Sequence, residues 1–561
     1  MNVQPGPSSS LLETAVAIVG GGPVGLLLAC ELGAHGVRTI VLGENAGTAT
    51  HPKANTHTAR SMEIYRRHGI SSALRARGLS TAYRTDVAYY TRLLGYELHR
   101  VPLPTPAASI AETRATPTRW PTPEPQFRSS QLVLEPLLLE SARRYPSVDV
   151  RFGHRVVKIA ERGSGVELDV ETAAGPTVVR AAYAVGCDGG RSFVRRELGL
   201  RFEGEGGLAL DFMGGRMLAT YFRAPGLQRR LRHPHAWQNW FLVPGLRALM
   251  LTLDAENDLY LMHYQLPANG NAAKSFGDVL DGVVGAPVAA EVISAVEWRA
   301  GVSLVAERFR SGRCFLAGDA AHLFTPTGGF GLNTGIEDAC NLAWKLAAVL
   351  AGWAPAALLD SYEAERKPVA VRNTEYALTL ARRNGECPVD PAIEDDTPAG
   401  EAARAAAQRH LAAYARWEYD TPGIQLGVSY RSSAAIVDDG SPAPADSPIE
   451  YVPNAVPGSR LPHVWLPDGS SLYDRLGFGF ALLALGAPAG AAAWRDAASA
   501  RGLPLAVLDV SASRELRALV QADWILVRPD GHIAWRGDRA DPGDVLDVVT
   551  ARTLDRIRET V

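Results

Sequence analysis

The sequence predicts an α/β protein in which a parallel sheet is interrupted by an antiparallel sheet and followed by a smaller α/β domain. Residues 14–20, 24–35 and 37–42 have strand, helix and strand patterns, which is how a parallel sheet begins. Two alternating runs flank "DAEND" within "RALMLTLDAENDLYLMHYQL", and this pattern predicts an antiparallel hairpin. A stretch with five prolines, 436–460, precedes the renewed α/β pattern near the C-terminus, and we interpret it as a linker.

The other elements follow in chain order. Seven prolines in 101–125 predict an irregular surface crossing. Helical spacing appears at 131–144 and in the alanine-rich stretch 399–418, strand patterns at 148–158, 165–171 and 177–187, and mixed α/β character over 302–380.

Composition narrows the possible classes of function. The chain has 561 residues, 47% hydrophobic and 21% charged, and its formal net charge of −3 gives no electrostatic basis for binding nucleic acid or an anionic membrane. The longest apolar stretch, 343–359, is interrupted by Lys345 and Pro355, so no transmembrane helix is predicted. The opening "MNVQPGPSSS" lacks the basic region of a signal peptide, and the five cysteines form neither a CxxC nor a metal-binding spacing. We therefore expect a cytoplasmic protein with reduced thiols and no metal site.

A glycine-rich turn joins the first strand to the first helix in "VAIVGGGPVGLLLACELGAHG". Gly20, Gly22 and Gly25 form G-x-G-x-x-G, which permits a tight turn, approach of the backbone to a pyrophosphate and close packing of helix on strand. The helix N-terminus adds free N–H groups and the positive end of a dipole. This pattern predicts dinucleotide binding, although Gly43 stands where an acidic residue is expected and Glu44 follows it. The alternative is a glycine-rich turn without a ligand.

A second glycine-rich stretch, "AGDAAHLFTPTGGFGLNTG", follows another buried strand. Asp319 lies at the carboxyl end of that strand, where open α/β sheets bind ligands, and can accept hydrogen bonds from sugar or ribityl hydroxyls. The glycines after it expose successive backbone amides. A helix predicted from about 335 to 350 would direct its positive end at a flat heterocycle such as the N1–C2=O edge of a reduced flavin. An ordinary connection in which Asp319 caps a helix is the alternative.

A third motif, "AVGCDGGRSFVRRELGL", places Asp188, Gly189, Ser192 and Arg195 in the order D-G-x-x-S-x-x-R. Together with the glycine fingerprint and "FLAGDAAH", it resembles the flavoprotein aromatic hydroxylases, single-component FAD monooxygenases of the para-hydroxybenzoate hydroxylase type, over roughly 14–380. The chain length, "GIQLGVSYRSSA" and the C-terminal segment further resemble the bacterial aromatic polyketide hydroxylases, whose last domain is thioredoxin-like. That segment lacks a CxxC, so we expect a structural or dimer-forming role for it.

The resemblance implies a Rossmann-like FAD-binding domain, an inserted antiparallel-sheet substrate domain and a C-terminal thioredoxin-like domain. The predicted bounds are 11–90, 126–200 and 302–390 for the first, 91–125 and 201–301 for the second, 391–455 for a helix and linker, and 456–561 for the last.

The resemblance also implies a reaction. NADPH or NADH, bound transiently, would reduce FAD, and a flavin C4a-hydroperoxide formed with O2 would transfer one oxygen atom to a phenolic, polycyclic aromatic polyketide. Baeyer–Villiger or oxidative-rearrangement chemistry and hydroxylation of a simple phenol or an antibiotic are alternatives. A non-catalytic FAD carrier is an alternative from another class, which the intact "PTGGFGLN" loop opposes. Besides substrate and O2 we expect no nucleic acid or membrane partner, and a homodimer is possible.

The resemblance also assigns site residues, by their positions in the matching motifs. The predicted FAD contacts are Gly20, Gly22, Pro23, Val24, Gly25, Glu44, Asn45, Lys53, Arg60, Arg128, Gln131, Asp188, Asp319, Gly329, Gly331, Leu332 and Asn333, and Pro326 would flank the flavin where oxygen adds. For Lys53 a surface salt bridge is the alternative.

The substrate would lie between the flavin and the antiparallel sheet. The candidate contacts are Tyr221, His235, Trp237, Asn239, Phe241 and Trp298. Alternation along "HAWQNWFLVP" predicts Trp237, Asn239 and Phe241 on one face of a strand and Gln238 with Trp240 on the other. Packing in the sheet core is the alternative, and no side chain is assigned as a base.

Overall fold

A computed structural model describes residues 10–115, 120–207, 214–267, 274–486 and 490–554. Its largest sheet confirms the predicted parallel arrangement, since Ser10–Val19 pairs in parallel with Thr39–Gly43 on one side and Gly175–Gly186 on the other. Across the sheet the strands run in the order Arg310–Ser311, Cys314–Leu316, Gly175–Gly186, Ser10–Val19, Thr39–Gly43 and Val148–Phe152, and Gly165–Thr172 with Arg155–Arg162 extends it as an antiparallel hairpin.

Seven helices accompany this sheet among the residues described up to 385. They are Pro23–Ala34, Ala59–Arg67, Ile70–Arg77, Gln131–Ala142, Phe193–Glu197, Phe330–Leu350 and Asp360–Gly385. The helix predicted from 335 begins earlier, at Phe330, because Gly329 adopts a left-handed conformation (φ 67°) and starts the helix there. The whole length of this helix up to 348 is largely buried, so it runs through the core of the domain.

The second sheet is the predicted antiparallel one except for one parallel pair, Gln238–Val243 with Val87–Tyr90, and both of its faces are covered. Its strands run in the order Glu291–Ala300, Gly215–Arg223, Leu259–Gln265, Leu246–Asp254, Gln238–Val243, Val87–Tyr90 and Glu97–Val101. Helix Phe276–Val284 packs on one face and helix Pro398–Tyr414 on the other. Because Val87–Tyr90 pairs with Gln238–Val243, this sheet starts before the boundary predicted at residue 91.

Two smaller pairings link the sheets. Phe202–Gly206, Val302–Ala306 and His322–Leu323 form a three-stranded sheet, and Thr56–His57 pairs with Phe127–Arg128.

Proline-rich segments differ from their predicted structure. The crossing predicted over 101–125 contains a helix, Pro106–Ala115, since a proline at the first helical position lacks only an N–H that would have no helical partner. The helix predicted over 399–418 is broken into Pro398–Tyr414 and Arg416–Tyr419, and Pro422–Leu426 follows. The linker predicted over 436–460 contains no helix, and its residues 438–446 are mostly exposed. Arg372 bonds to its Asp446 at 2.6 Å.

The C-terminal domain has the predicted thioredoxin-like arrangement. Its strands run in the order Leu505–Asp509, Phe480–Ala484, Trp524–Val527 and Ile533–Gly537, the first two parallel and the others antiparallel, with helices Ala491–Ser499, Arg514–Val520 and Pro542–Val549. Nowhere in the described part of the chain is a helix both long and apolar enough to cross a bilayer. The same residues contain no cluster of three or more His, Cys, Asp or Glu side chains suited to a metal.

Candidate cofactor and active site

The glycine-rich turn after Ser10–Val19 brings a helix and a strand into direct backbone contact. Gly20 has a φ of 116°, and a Cβ there would collide with the carbonyl of Cys187. A Cβ on Gly25 would collide with the carbonyl of Gly20. These two glycines are therefore required by packing, whatever binds beside them.

Gly22 has a different environment. A Cβ added there meets no described atom within 4 Å, so the backbone at this position borders open space. Pro23 begins the helix that follows, no described side chain caps its N-terminus, and its first turn contains no acidic residue. Uncapped N–H groups and a positive dipole end beside open space are what a pyrophosphate requires.

The D-G motif is tied to the same turn. The Cys187 N–H donates to the Val19 carbonyl at 2.7 Å. The two carboxylate oxygens of Asp188 accept from the Ser192 hydroxyl (2.6 Å) and the Val194 N–H (3.0 Å). Asp188 therefore orients its own loop against the first glycine turn.

The G-D motif begins where the strand Cys314–Leu316 ends. The Gly318 N–H donates to the Asp338 carboxylate at 3.1 Å, and this carboxylate also bonds to His322 (2.6 Å) and Arg366 (2.7 Å). Burial raises the pKa of the Asp338 carboxyl, but His322 and Arg366 more than offset that effect, so the pKa lies below its ordinary value. An ionised, fully paired carboxylate thus fixes the turn that presents Asp319.

Asp319 lies beside the first glycine-rich turn, because the Val24 side chain is adjacent to Gly318. We refer to the region bounded by that turn, Asp319 and the segment 326–333 as the recess. The Asp319 side chain is accessible to solvent, yet desolvation by the surrounding protein raises its pKa, against the opposing charges of His322 and Lys53. Lys53 is exposed and lies within electrostatic range of Asp319, so the fold brings these two predicted residues together.

The segment 326–333 forms the opposite end of this recess. Pro326 is exposed, and Gly328 and Gly329 both adopt left-handed backbone conformations. No described side chain caps the helix that begins at Phe330, and its first turn has no acidic residue. The N–H groups of Gly331 and its neighbours therefore lie at a second free, positive helix end.

Asn333 ties this helix to a neighbouring one. Its Oδ1 accepts from the Thr58 N–H (2.9 Å) and the Ser61 hydroxyl (2.7 Å), and its Nδ2 donates to the Gly329 carbonyl (2.7 Å). The side chain of Asn333 is thus structural, while its backbone belongs to the free helix end together with Leu332.

Arg128 and Gln131 hold the segment that precedes helix Ala59–Arg67. Arg128 donates to the Thr56 hydroxyl at 2.8 Å, and its guanidinium lies 4.5 Å from the ring centre of Trp237. Burial lowers the pKa of Arg128 to about 10. The Gln131 side chain accepts from the Ala54 N–H at 3.2 Å.

Arg60, a predicted FAD contact, faces away from this recess. It forms an ion pair with Glu63 at 3.0 Å and donates to the Asp530 carbonyl of the C-terminal domain. Both terminal nitrogens of its guanidinium are bonded at the domain interface. The position of Arg60 therefore does not support the predicted contact with FAD.

Glu44, Asn45 and Val24 have distinct surroundings. Glu44 and Asn45 are exposed directly after the strand Thr39–Gly43, within reach of the ligand side of the sheet. The Val24 side chain packs against the backbone positions of Gly318 and Gly335, so only its backbone N–H is available to a ligand.

The predicted alternation of substrate residues is wrong at one position. Trp237 precedes the strand Gln238–Val243 and packs in the same core as Trp240, whereas Phe241 packs on the opposite face under helix Phe276–Val284. His235 is exposed on the surface and Asn239 bonds to the Ala236 carbonyl, so neither faces the recess as a free polar group.

The face bearing Trp240 is covered by the segment 398–419 at one side and meets the FAD-binding domain at the other. At one side Trp240 and Gln238 donate to the Tyr419 hydroxyl at 3.0 and 2.9 Å, and at the other side the His51 ring lies 2.8 Å from the Ser294 hydroxyl.

Tyr221 and Trp298 lie on the same face, on the two strands at its open edge. Tyr221 is paired with Ser294 and Trp298 with Met217, and both side chains are half-buried against the apolar core that contains Trp240. Of the six predicted substrate contacts, Tyr221 and Trp298 are therefore the two that combine accessible aromatic surface with a position on this face.

Comparison with known proteins identifies the family. A family described as "FAD binding domain" matches residues 13–377, and one described as "Aromatic-ring hydroxylase, C-terminal" matches residues 454–556. The chain belongs to the FAD-dependent aromatic-ring hydroxylases. It is a flavin monooxygenase whose cofactor is FAD, and NAD(P)H is the usual reductant in this family.

Three relatives show the extent of the similarity. Aklavinone 12-hydroxylase RdmE of Streptomyces purpurascens is 33% identical over 97% of this chain and 99% of its own. Tetracenomycin B2 monooxygenase-dioxygenase of Streptomyces olivaceus is 32% identical with the same coverage, 97% and 99%. The crystal structure of chromopyrrolic acid-soaked RebC with bound 7-carboxy-K252c superposes with a TM-score of 0.87 at 36% identity, covering 96% of this chain and 99% of that one.

Glu418, which the sequence did not indicate, lies directly behind the loop of this hydroxylase at 326–333. Its carboxylate accepts from the Gly328 N–H at 3.3 Å and from the Asn384 side chain at 3.1 Å. Burial raises the pKa of Glu418 to about 7. A glutamate within "YARWEYD" carries no motif, so only the folded chain reveals its position.

The open space beside Gly22 generates a first prediction. Gly22→Ala should leave the thermal midpoint of the FAD-free protein unchanged, because the new Cβ meets no protein atom. It should weaken FAD binding about tenfold or more, since the methyl group would occupy space next to the pyrophosphate. Gly277→Ala, in a helix of the second sheet where a Cβ is also tolerated, is the control and should bind FAD like the wild type. Equal FAD dissociation constants for the two variants, by quenching of flavin fluorescence, would contradict this placement.

Glu418 generates a second prediction. Because its pKa is raised in the folded protein, stability that depends on its proton is fully present below about pH 4.5 and is lost as pH rises through about 7, a change on the order of 3 kcal/mol. Glu418→Gln cannot lose this proton. Its thermal midpoint, measured with FAD present, should therefore rise relative to that of the wild type between pH 5 and pH 8. Glu401→Gln, at an exposed position of a nearby helix, should show no such trend. A pH-independent difference for Glu418→Gln would refute the prediction.

Proposed function

We propose that this enzyme inserts one oxygen atom from O2 into a phenolic, polycyclic aromatic polyketide. The observation that carries the proposal is the convergence of two uncapped helix N-termini and the Asp319 carboxylate on one recess, opposite a sheet face with accessible aromatic side chains. A recess of this kind binds a dinucleotide along its length and leaves the end at 326–333 for chemistry.

We place FAD in the recess in one orientation. Its pyrophosphate would lie on the N–H groups around Gly22, where the backbone borders open space. Asp319 would accept hydrogen bonds from the ribityl hydroxyls, and Lys53 would offset the negative charge there. The amides of Leu332 and Asn333 would face the polar edge of the flavin ring. When bound, FAD supplies electron transfer and oxygen activation, which no side chain of the chain provides.

The protein's own part is to orient the substrate and exclude water. Tyr221 and Trp298 offer aromatic surface on which a fused ring system can stack. The names of two relatives specify aklavinone and tetracenomycin B2, and those names favour a polycyclic polyketide over a simple phenol for this chain as well. Pro326 would border the reacting edge of the flavin. A cytoplasmic location and a homodimer also stay predictions.

The activity can be tested with purified, FAD-loaded protein. We expect anthraquinone and angucycline phenols to accelerate both NADPH or NADH oxidation and oxygen uptake, more than simple phenols do. The product should gain one atom of oxygen from labelled O2, and its NMR spectrum separates ring hydroxylation from Baeyer–Villiger insertion or rearrangement. A protein that binds FAD but oxidises neither reductant with any aromatic compound would be a carrier, and the proposal would fail.

The substrate face yields a further prediction. Tyr221→Leu should raise KM for the polycyclic substrate about fivefold, because the lost ring stacking is worth about 1 kcal/mol, and should leave the FAD dissociation constant unchanged. Tyr264→Leu is the control on the neighbouring strand, since its side chain packs on the opposite face of the sheet. It should reduce stability without changing KM. Similar KM values for both variants would exclude this face as the substrate site.

A further inference from the structure

A turn of the C-terminal domain penetrates the FAD-binding domain. It connects strands Trp524–Val527 and Ile533–Gly537, and its side chains Arg528 and Asp530 are only 1% and 2% exposed. Two opposite charges are thus buried at the contact between domains, and both must be fully paired there to be tolerated.

Part of this pairing comes from helix Asp360–Gly385. Arg528 makes two hydrogen bonds to Glu365, both at 2.8 Å, and Lys345 donates to the same carboxylate at 2.7 Å. Burial raises the pKa of Glu365, but Arg528 and Lys345 outweigh it and hold the pKa below the ordinary range. Arg528 and Lys345 are the positive groups of this cluster, and Glu365 and Asp530 are the negative ones. Its charges therefore balance.

Asp530 contacts helix Phe330–Leu350 directly. Its carboxylate accepts from the Asn341 side chain at 3.1 Å and from the Trp344 indole at 3.2 Å. The turn is therefore bonded to the middle of the helix whose free N-terminus faces the FAD recess.

The same turn also holds helix Ala59–Arg67. Arg67 donates to the Pro529 carbonyl at 2.8 Å, and Arg60 donates to the Asp530 carbonyl. One turn of four residues, 528–531, thus contacts three helices of the other domain, and it holds Ala59–Arg67 and Phe330–Leu350 through different atoms.

These two helices meet again at the flavin loop. The start of helix Ala59–Arg67, at Thr58 and Ser61, is bonded to Asn333 in the first turn of helix Phe330–Leu350. Asn341 lies eight residues further along that helix, about 12 Å from Asn333 at 1.5 Å per residue. The helices are consequently fixed at two points, one at the FAD recess and one at the turn.

We propose that the turn 528–531 of the C-terminal domain is a positioning element of the FAD site. By holding both helices at their far contact, it keeps the backbone amides at 331–333 in register with the flavin ring. It acts through the helices and touches no cofactor atom. The inference depends on FAD binding in this recess and is independent of the identity of the substrate.

The test uses Asp530→Ala in the full-length protein. We expect the FAD dissociation constant to rise about tenfold, and the visible circular dichroism and the reduction potential of the bound flavin to change, because the amides at its ring edge lose their alignment. Asp530→Asn, which keeps an oxygen for Asn341 and Trp344, should restore the wild-type dichroism in large part.

Two controls separate positioning from general loss of stability. Asp468→Ala removes an exposed ion pair with Arg475 in the same domain and should change nothing. Leu483→Ala creates a cavity in the core of that domain and should lower its stability while leaving the flavin spectrum and potential unchanged below the transition. If Asp530→Ala does not fold, Arg67→Met tests the same contact from the other domain.

Two outcomes would overturn the proposal. One is wild-type FAD affinity, dichroism and potential in folded Asp530→Ala or Arg67→Met. The other is an equal change in Leu483→Ala, which would show that only domain stability matters. FAD binding by the wild-type protein is measured in the same experiment, and no substrate is used. A negative result for the turn 528–531 can therefore be distinguished from failure of the proposed monooxygenation.

Discussion

The shape of the FAD recess depends on the buried carboxylate of Asp338. This residue lies on helix Phe330–Leu350 and accepts hydrogen bonds from the Gly318 backbone, His322 and Arg366, which come from two other parts of the chain. Loss of one charged partner would leave an uncompensated buried charge, at a cost of about 3–5 kcal/mol. The strand end that presents Asp319 and the helix that faces the flavin are therefore fixed by one interaction.

Close contacts between backbones add to this constraint. A Cβ at Gly335 would lie 2.9 Å from the Cα of Gly318, and a Cβ at Gly25 would collide with the carbonyl of Gly20. A side chain at either position would push a helix away from the sheet and its N-terminus away from the recess. Glycine is thus required at these positions by packing, and at Gly22 by the space that a ligand needs.

The structural features that could be predicted are those formed by residues that are contiguous in the sequence. Strand, turn and helix follow one another in each glycine motif, so the parallel sheet, the inserted antiparallel sheet and the FAD recess could all be predicted. Long-range contacts could not, because no local pattern records which segment arrives beside a residue. The resemblance predicts that Arg60 contacts FAD, but its guanidinium bonds to Glu63 of its own helix and to the Asp530 carbonyl of the C-terminal turn. Alternation predicts Trp237 on the same face as Phe241. The strand begins only at Gln238, so the alternation does not extend to Trp237.

At the flavin end of the recess, the dipole of helix Phe330–Leu350 and the buried Glu418 carboxyl act on the same loop. Buried charges nearby are paired with opposite charges, as Asp338 is with Arg366 and Glu365 with Arg528. Glu418 differs, since its hydrogen-bond donors at Gly328 and Asn384 are neutral and burial raises its pKa to about 7. When it is protonated, the positive end of helix Phe330–Leu350 acts on the flavin without opposition. When it is ionised, its negative charge lies behind the same loop and offsets that dipole. Because the pKa of Glu418 lies near 7, the charge behind this loop changes with pH, and the nearby Arg128 guanidinium partly offsets it.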